Sequence, residues 1–250
     1  MFLEKIEQTN FNFNTKLNRL QTKVISFSLL YAGIGFALIC GFAFLFYYSI
    51  QKQWINFEQI NVLYIVSSIL LIVCFGISIF ISFARKFNIF WLYLIYFIFI
   101  FSFAISFGML FTLFSGAEIL MLFGISGGAL LICSIIGFTL SNKGALTLSK
   151  IIYILLPLYF FGSLIFALVS AFVFTSDVWY IIATVLSTGI ILCLNIYSFY
   201  TLSKSAEFVK MMDGSQVPLN KICLGNGLNI LCSIVNTILL VARFMLFSRR

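Results

Sequence analysis

The side chains that could do chemistry inside this chain are amides, hydroxyls and phenols. Asn226, Asn229, Ser233, Asn236 and Arg243 punctuate the apolar stretch from Lys221 to Arg250. Their steps of three and four place them on one slowly drifting face of a helix, while Leu228, Ile230, Leu231, Ile234, Leu239 and Leu240 cover the rest. A second set, Thr184, Thr188, Asn195, Ser198 and Thr201, shares a face of the preceding stretch, with Tyr197 and Tyr200 near its end. Neutral groups of this kind either hydrogen-bond one another as interhelical glue or line a hydrated path or cavity. Both readings stand at this level. The residues singled out as a pore or polar core are Asn226, Asn229 and Asn236, with Asn195 and Tyr200 opposite them.

Much other chemistry is excluded. The chain has no histidine, which removes the commonest metal ligand and general base, along with Ser/His and HExxH hydrolysis. Its seven carboxylates, Glu4, Glu7, Glu58, Glu118, Asp177, Glu207 and Asp213, all lie outside the middles of the apolar runs. A proton relay or sodium site on a buried acid is therefore not expected. No GxxxxGK[ST] loop is present to hold a nucleotide. The six cysteines, Cys40, Cys74, Cys133, Cys193, Cys223 and Cys232, form no CxxC pair and read as small hydrophobes. We expect no enzyme, no cofactor and no metal centre.

An amide seam cannot face lipid, because unpaired amides in hydrocarbon are costly, so other helices must surround it. The composition supplies them: 62% of the 250 residues are hydrophobic, 9% are charged, and mean hydropathy is +1.15. A soluble domain carries about 25% charged residues. The fold expected is all-α: a polytopic membrane protein whose partner is the lipid bilayer, not nucleic acid, despite a net charge of +8. Seven runs approach the roughly 20 residues that span a bilayer: 24–49, 60–84, 88–114, 117–140, 151–175, 178–202 and 222–247. Residues 1–23 precede them as a polar segment. Tight links at Ser115-Gly116-Ala117-Glu118 and Thr175-Ser176-Asp177 make their flanking spans antiparallel neighbours. Gly124 and Gly128 form a GxxxG pair, expected to pack closely against another helix.

Lys and Arg mark the cytoplasmic side. With seven spans, 11 lie on the amino-terminal side and 4 on the other, so the amino terminus is expected in the cytoplasm. Three of the four exceptions, Arg243, Arg249 and Arg250, sit in and after the last span. That helix either crosses against the rule or enters and returns.

The middle of the chain resembles the Bax inhibitor-1 family. The resemblance rests on Phe107-Gly108-Met109-Leu110 through Leu113-Phe114-Ser115-Gly116-Ala117, on Ile125-Ser126-Gly127-Gly128-Ala129, and on the loop Ser141-Asn142-Lys143-Gly144-Ala145-Leu146-Thr147. The seven-span count, the short links and the arginine-rich end match as well. The resemblance implies a six-helix bundle around a central seventh helix, in a bacterial plasma membrane or a eukaryotic organelle membrane. It further implies a pH-sensitive calcium leak, protection from cell death, or modulation of membrane proteolysis. The family's paired aspartates fall on Tyr200, within Phe199-Tyr200-Thr201, and on Asn229; its third-span glutamate falls near Phe103. Amides and phenols do not titrate near pH 7, so the pH gate is not expected here. Two other functions fit the same composition. One is a non-transporting partner of a membrane protease or other integral protein. The other is the membrane subunit of an uptake system for a small hydrophobic ligand.

Overall fold

The computed structural model describes residues 2–54, 62, 88–155, 157, 177–211 and 219–248, and among them the secondary structure is helical throughout. The described residues form six helices: α1 Phe2–Gln51, α2 Ile89–Leu113, α3 Gly116–Thr139, α4 142–155, α5 Asp177–Met211 and α6 Leu219–Phe247. Five contain apolar stretches long enough to cross a membrane: Gln21–Gln51, Ile89–Leu113, Gly116–Thr139, Thr184–Ser205 and Leu219–Leu246. The protein is thus a helical, membrane-spanning chain, as lipid demands of a backbone that must satisfy its own polar groups. The expected span 60–84 and most of 151–175 lie outside the described residues.

Helix ends follow local chemistry. Gln53 adopts a left-handed φ of 57°, and Trp54 N–H reaches Ser49 C=O while Gln53 N–H reaches Ile50 C=O. This pattern satisfies the last carbonyls of α1. Trp54 then stacks edge-on to Tyr48 at 5.9 Å, and the Lys52 ammonium lies over the Tyr48 ring at 5.7 Å, an anchor suited to a membrane interface. Between α2 and α3 only Phe114 and Ser115 intervene. Glu118 accepts from both the amide and the hydroxyl of Ser115, the glutamate half of a capping box, and α3 starts at once. The stretch 141–147, expected as a loop, is instead the opening of α4. Ser141 Oγ accepts from Gly144 N–H, so one serine supplies the cap that a longer loop would otherwise replace. At the other end of the chain, the expected polar segment 1–23 is helical from Phe2 and continuous with the first span.

The helices form two compact units, Met1–Ile119 with Leu202–Cys232, and Leu120–Thr201 with Ser233–Arg250. In the first, α1 packs on α2 and on the opening half of α6. A Cβ at Gly227 would lie 2.6 Å from Tyr31 Cβ and 2.9 Å from the Ser28 carbonyl oxygen, so the α1 and α6 backbones nearly touch. Tyr96 fills the space over Gly35, and Ala43 and Phe46 close over Gly108. In the second unit, α3 meets α5 backbone to backbone at Gly137, whose Cβ would sit 2.6 Å from the Ile196 carbonyl oxygen.

The expected packing motif takes no part in these contacts. Gly124 and Gly128 are exposed, with no atom among the described residues within 4 Å of a Cβ at either. The buried side of α3 carries Leu122, Ser126, Cys133 and Gly137, and the GxxxG pair points away from it. Spacing identifies small residues but not which face is covered.

Gly227→Ala should therefore destabilise the protein by about 1–3 kcal/mol through overpacking. Gly225→Ala, on the same helix with open space around it, should be close to neutral. Reversible unfolding in detergent micelles measures both, and equal stabilities for the two variants would contradict the α1–α6 contact.

Candidate functional site

α6 is the most buried of the five apolar helices: 61% of its most apolar window is covered, against 17% in α3. Cys223, Leu224, Leu228, Ile230, Leu231, Val235 and Ile238 are all buried. The helix is thus enclosed on more than the expected seam.

Its polar residues divide between the two units. In the second, Asn195 of α5 is 1% exposed and donates from Nδ2 to the Thr237 hydroxyl at 2.7 Å. Thr237 in turn donates to the Ser233 carbonyl at 2.7 Å. One hydroxyl thus accepts between helices and donates within its own, a short chain of polarised bonds in a low-dielectric interior. Several hydroxyls of α5 turn inward on their own backbone: Ser187 and Thr188 to Thr184 C=O, Ser198 to Leu194 C=O, Thr201 to Ser198 C=O and Ser205 to Leu202 C=O. Such back-bonding satisfies a hydroxyl without a second helix. Asn195 is thus a buried α5 side chain that acts as interhelical glue.

Tyr200 lies at the far end of the same unit and donates to Asn142 Oδ1 of α4 at 3.0 Å. The Tyr200 phenol thus tethers the first turn of α4. Asn236 is half-buried, and Arg243 is exposed near the end of α6.

Asn226 and Asn229, both half-buried, belong to the first unit. The Nδ2 atom of Asn226 is buried with no hydrogen-bond partner among the described residues. Its neighbour Gly227 is the point of closest approach to α1. A cluster of phenols occupies the same unit: the Tyr31 and Tyr93 hydroxyls are 3.1 Å apart, and Tyr96 donates to the Tyr31 carbonyl.

Sequence reasoning thus found Asn195 but not its partner. The seam was drawn through Asn236, whereas Thr237, one residue on, faces α5. A threonine one turn beyond the buried Ser233 was the available signal. The Tyr31–Tyr93 pairing had no signal, since its members are separated by 62 residues. Among the described residues no group of three or more His, Cys, Asp or Glu side chains could hold a metal ion.

No family model, curated protein or solved structure matches this chain.

Thr237→Val should cost about 1–3 kcal/mol by stranding the Asn195 amide. In a double-mutant cycle with Asn195→Leu, the coupling should be about 0.6–1.7 kcal/mol. A coupling of zero in micelle unfolding would show that the two side chains do not interact.

Proposed function

We propose that this chain is a multi-pass membrane protein of the Bax inhibitor-1 type, with seven spans arranged around its last helix. Its activity in this reading is a slow, ungated leak of small cations such as calcium along the amide seam of α6. The supporting observation is the combination found on that helix. α6 has the largest buried share of the five apolar helices, yet it holds the Asn226 amide nitrogen with no partner among the described residues. A buried donor left unmade costs about 1–3 kcal/mol, and bound water is the ordinary way to recover it. The same amide presents a carbonyl oxygen, a ligand type that calcium accepts.

The identity of the other residues sets the character of the leak. Tyr200 and Asn229 occupy the positions where the family carries aspartates, and no carboxylate lies mid-span. Two close acids can share a proton and switch with pH; a phenol and an amide cannot do so near neutrality. The flow is therefore constitutive, and regulation comes from outside the seam.

A second reading is a non-transporting partner of a membrane protease or another integral protein. It draws on Gly124 and Gly128, which face outward from α3. An outward GxxxG pair permits close approach by another helix.

Calcium uptake into proteoliposomes tests the first reading. Uptake should exceed that of empty liposomes, remain the same between roughly pH 6 and pH 8, and fall several-fold in Asn226→Leu. Uptake no greater than in empty liposomes would remove the leak. Crosslinking in native membranes that returned only the monomer would remove the second reading.

A further inference from the structure

The outward side of the α1–α2 contact holds a groove of about 520 Å³. Leu38 and Phe42 of α1 and Phe97, Ile98 and Phe101 of α2 line it. Its wall is apolar: the one hydroxyl there, Ser102, donates to the Ile98 carbonyl at 2.7 Å. Phe101 meets Phe42 and Phe46 edge-on, with centroids 6.4 and 6.1 Å away, which fixes the two helices across the groove. Phe97 and Phe101 nevertheless remain 59% and 50% exposed. Gln21–Gln51 of α1 and Ile89–Leu113 of α2 are apolar stretches of membrane-spanning length, so the medium at this depth is lipid chains.

A pair of phenols from the same two helices lies towards one end of the groove. Tyr93 precedes Phe97 by one turn, and Tyr31 precedes Leu38 by two, so each phenol shares a helix face with the groove wall below it. At 1.5 Å per residue, Tyr93 stands about 12 Å from Phe101 along the axis. The two hydroxyls bond to each other. That bond uses one phenolic hydrogen and leaves the accepting phenol's own O–H to donate elsewhere. Further towards the same end the sequence is basic. Lys16, Arg19 and Lys23 precede the apolar part of α1, and Arg85 and Lys86 stand just ahead of α2. The nearest acids before the first span are Glu4 and Glu7, and none occurs between Glu58 and Glu118.

We propose that this groove is a binding site for one anionic phospholipid of the surrounding bilayer. An acyl chain lies along Phe42, Phe97 and Phe101. The phosphate stands at the Tyr31–Tyr93 pair, where a phenolic O–H donates to an anionic oxygen, a charge-assisted bond. The exposed Lys23, ahead of the apolar part of α1, supplies the attraction that a juxtamembrane lysine exerts on acidic lipids. The site is independent of any leak along α6.

Native mass spectrometry of the full chain tests it, using detergent micelles doped with equal amounts of phosphatidylglycerol and phosphatidylcholine. One phosphatidylglycerol should be retained per protein, in several-fold preference over phosphatidylcholine. Ile98→Trp, which fills the groove, and Tyr93→Phe, which removes a hydroxyl, should each reduce that adduct several-fold. Ile125→Trp on the exposed face of α3 should leave it unchanged. Tyr93→Phe keeps the side-chain volume and decides the matter if the larger residue at 98 disturbs folding. Equal retention of the two lipids, or an undiminished adduct in Tyr93→Phe, would overturn the proposal.

Discussion

A polar group inside hydrocarbon finds its partner within the protein or is paid for in stability, and the polar chemistry of this chain follows from that constraint. Most of its intramembrane hydroxyls meet the requirement alone. Ser28, Ser102, Ser126, Thr188 and Ser198 each donate to the carbonyl four residues back. A hydroxyl that closes on its own helix specifies nothing about neighbours, and it lets these helices carry many Ser and Thr residues without requiring matched polar partners. An amide is too large and has too many hydrogen-bonding sites for that solution. Asn195 must reach across to Thr237, and Asn226 retains a buried nitrogen with no hydrogen-bond partner among the described residues. The amides are therefore the places where the sequence demands something of its surroundings.

Backbone proximity is the second ingredient. Within the first unit, Gly227 brings α6 against Ser28 and Tyr31 of α1, and Gly35 accommodates Tyr96. In the second, Gly137 brings α3 against the Ile196 carbonyl of α5. Lipid gives apolar side chains little reason to prefer one another over acyl chains, so association relies on close van der Waals fit. The glycines that achieve this lie beside the polar positions: Gly227 adjoins Asn226, and the residue facing Gly137 follows Asn195. Tight packing and polar partnering thus occupy the same short segments.

Much of this architecture was legible in the sequence. The span expected at 88–114 is Ile89–Leu113, and that expected at 117–140 is Gly116–Thr139. Both are long apolar runs, and the Ser115-x-x-Glu118 cap between them is written in the sequence. The opening of α4 was misread because Ser141-Asn142-Lys143-Gly144 has a loop's composition, although Ser141 is also a good cap. The packing glycines of the described residues differ from those the motif suggested. α3 is apolar on nearly every side, so its periodicity does not reveal which face meets α5, and among the described residues that face carries Gly137 rather than Gly124 and Gly128. Asn195 was identifiable as a buried amide in an apolar run; its pairing with Thr237 depends on how α5 and α6 are rotated, which neither helix records alone.

The central claim is that the environment of Asn226 is hydrated although the surrounding helix is enclosed. Thiol accessibility tests this directly. The six native cysteines would be replaced, and single cysteines introduced by Asn226→Cys and, as a dry reference, Val235→Cys, at a fully buried position of the same helix. A small, charged, water-borne thiol reagent applied to the protein in liposomes should modify the cysteine at position 226 and leave that at 235 intact. Equal protection of both positions would contradict the claim and leave α6 a purely structural helix.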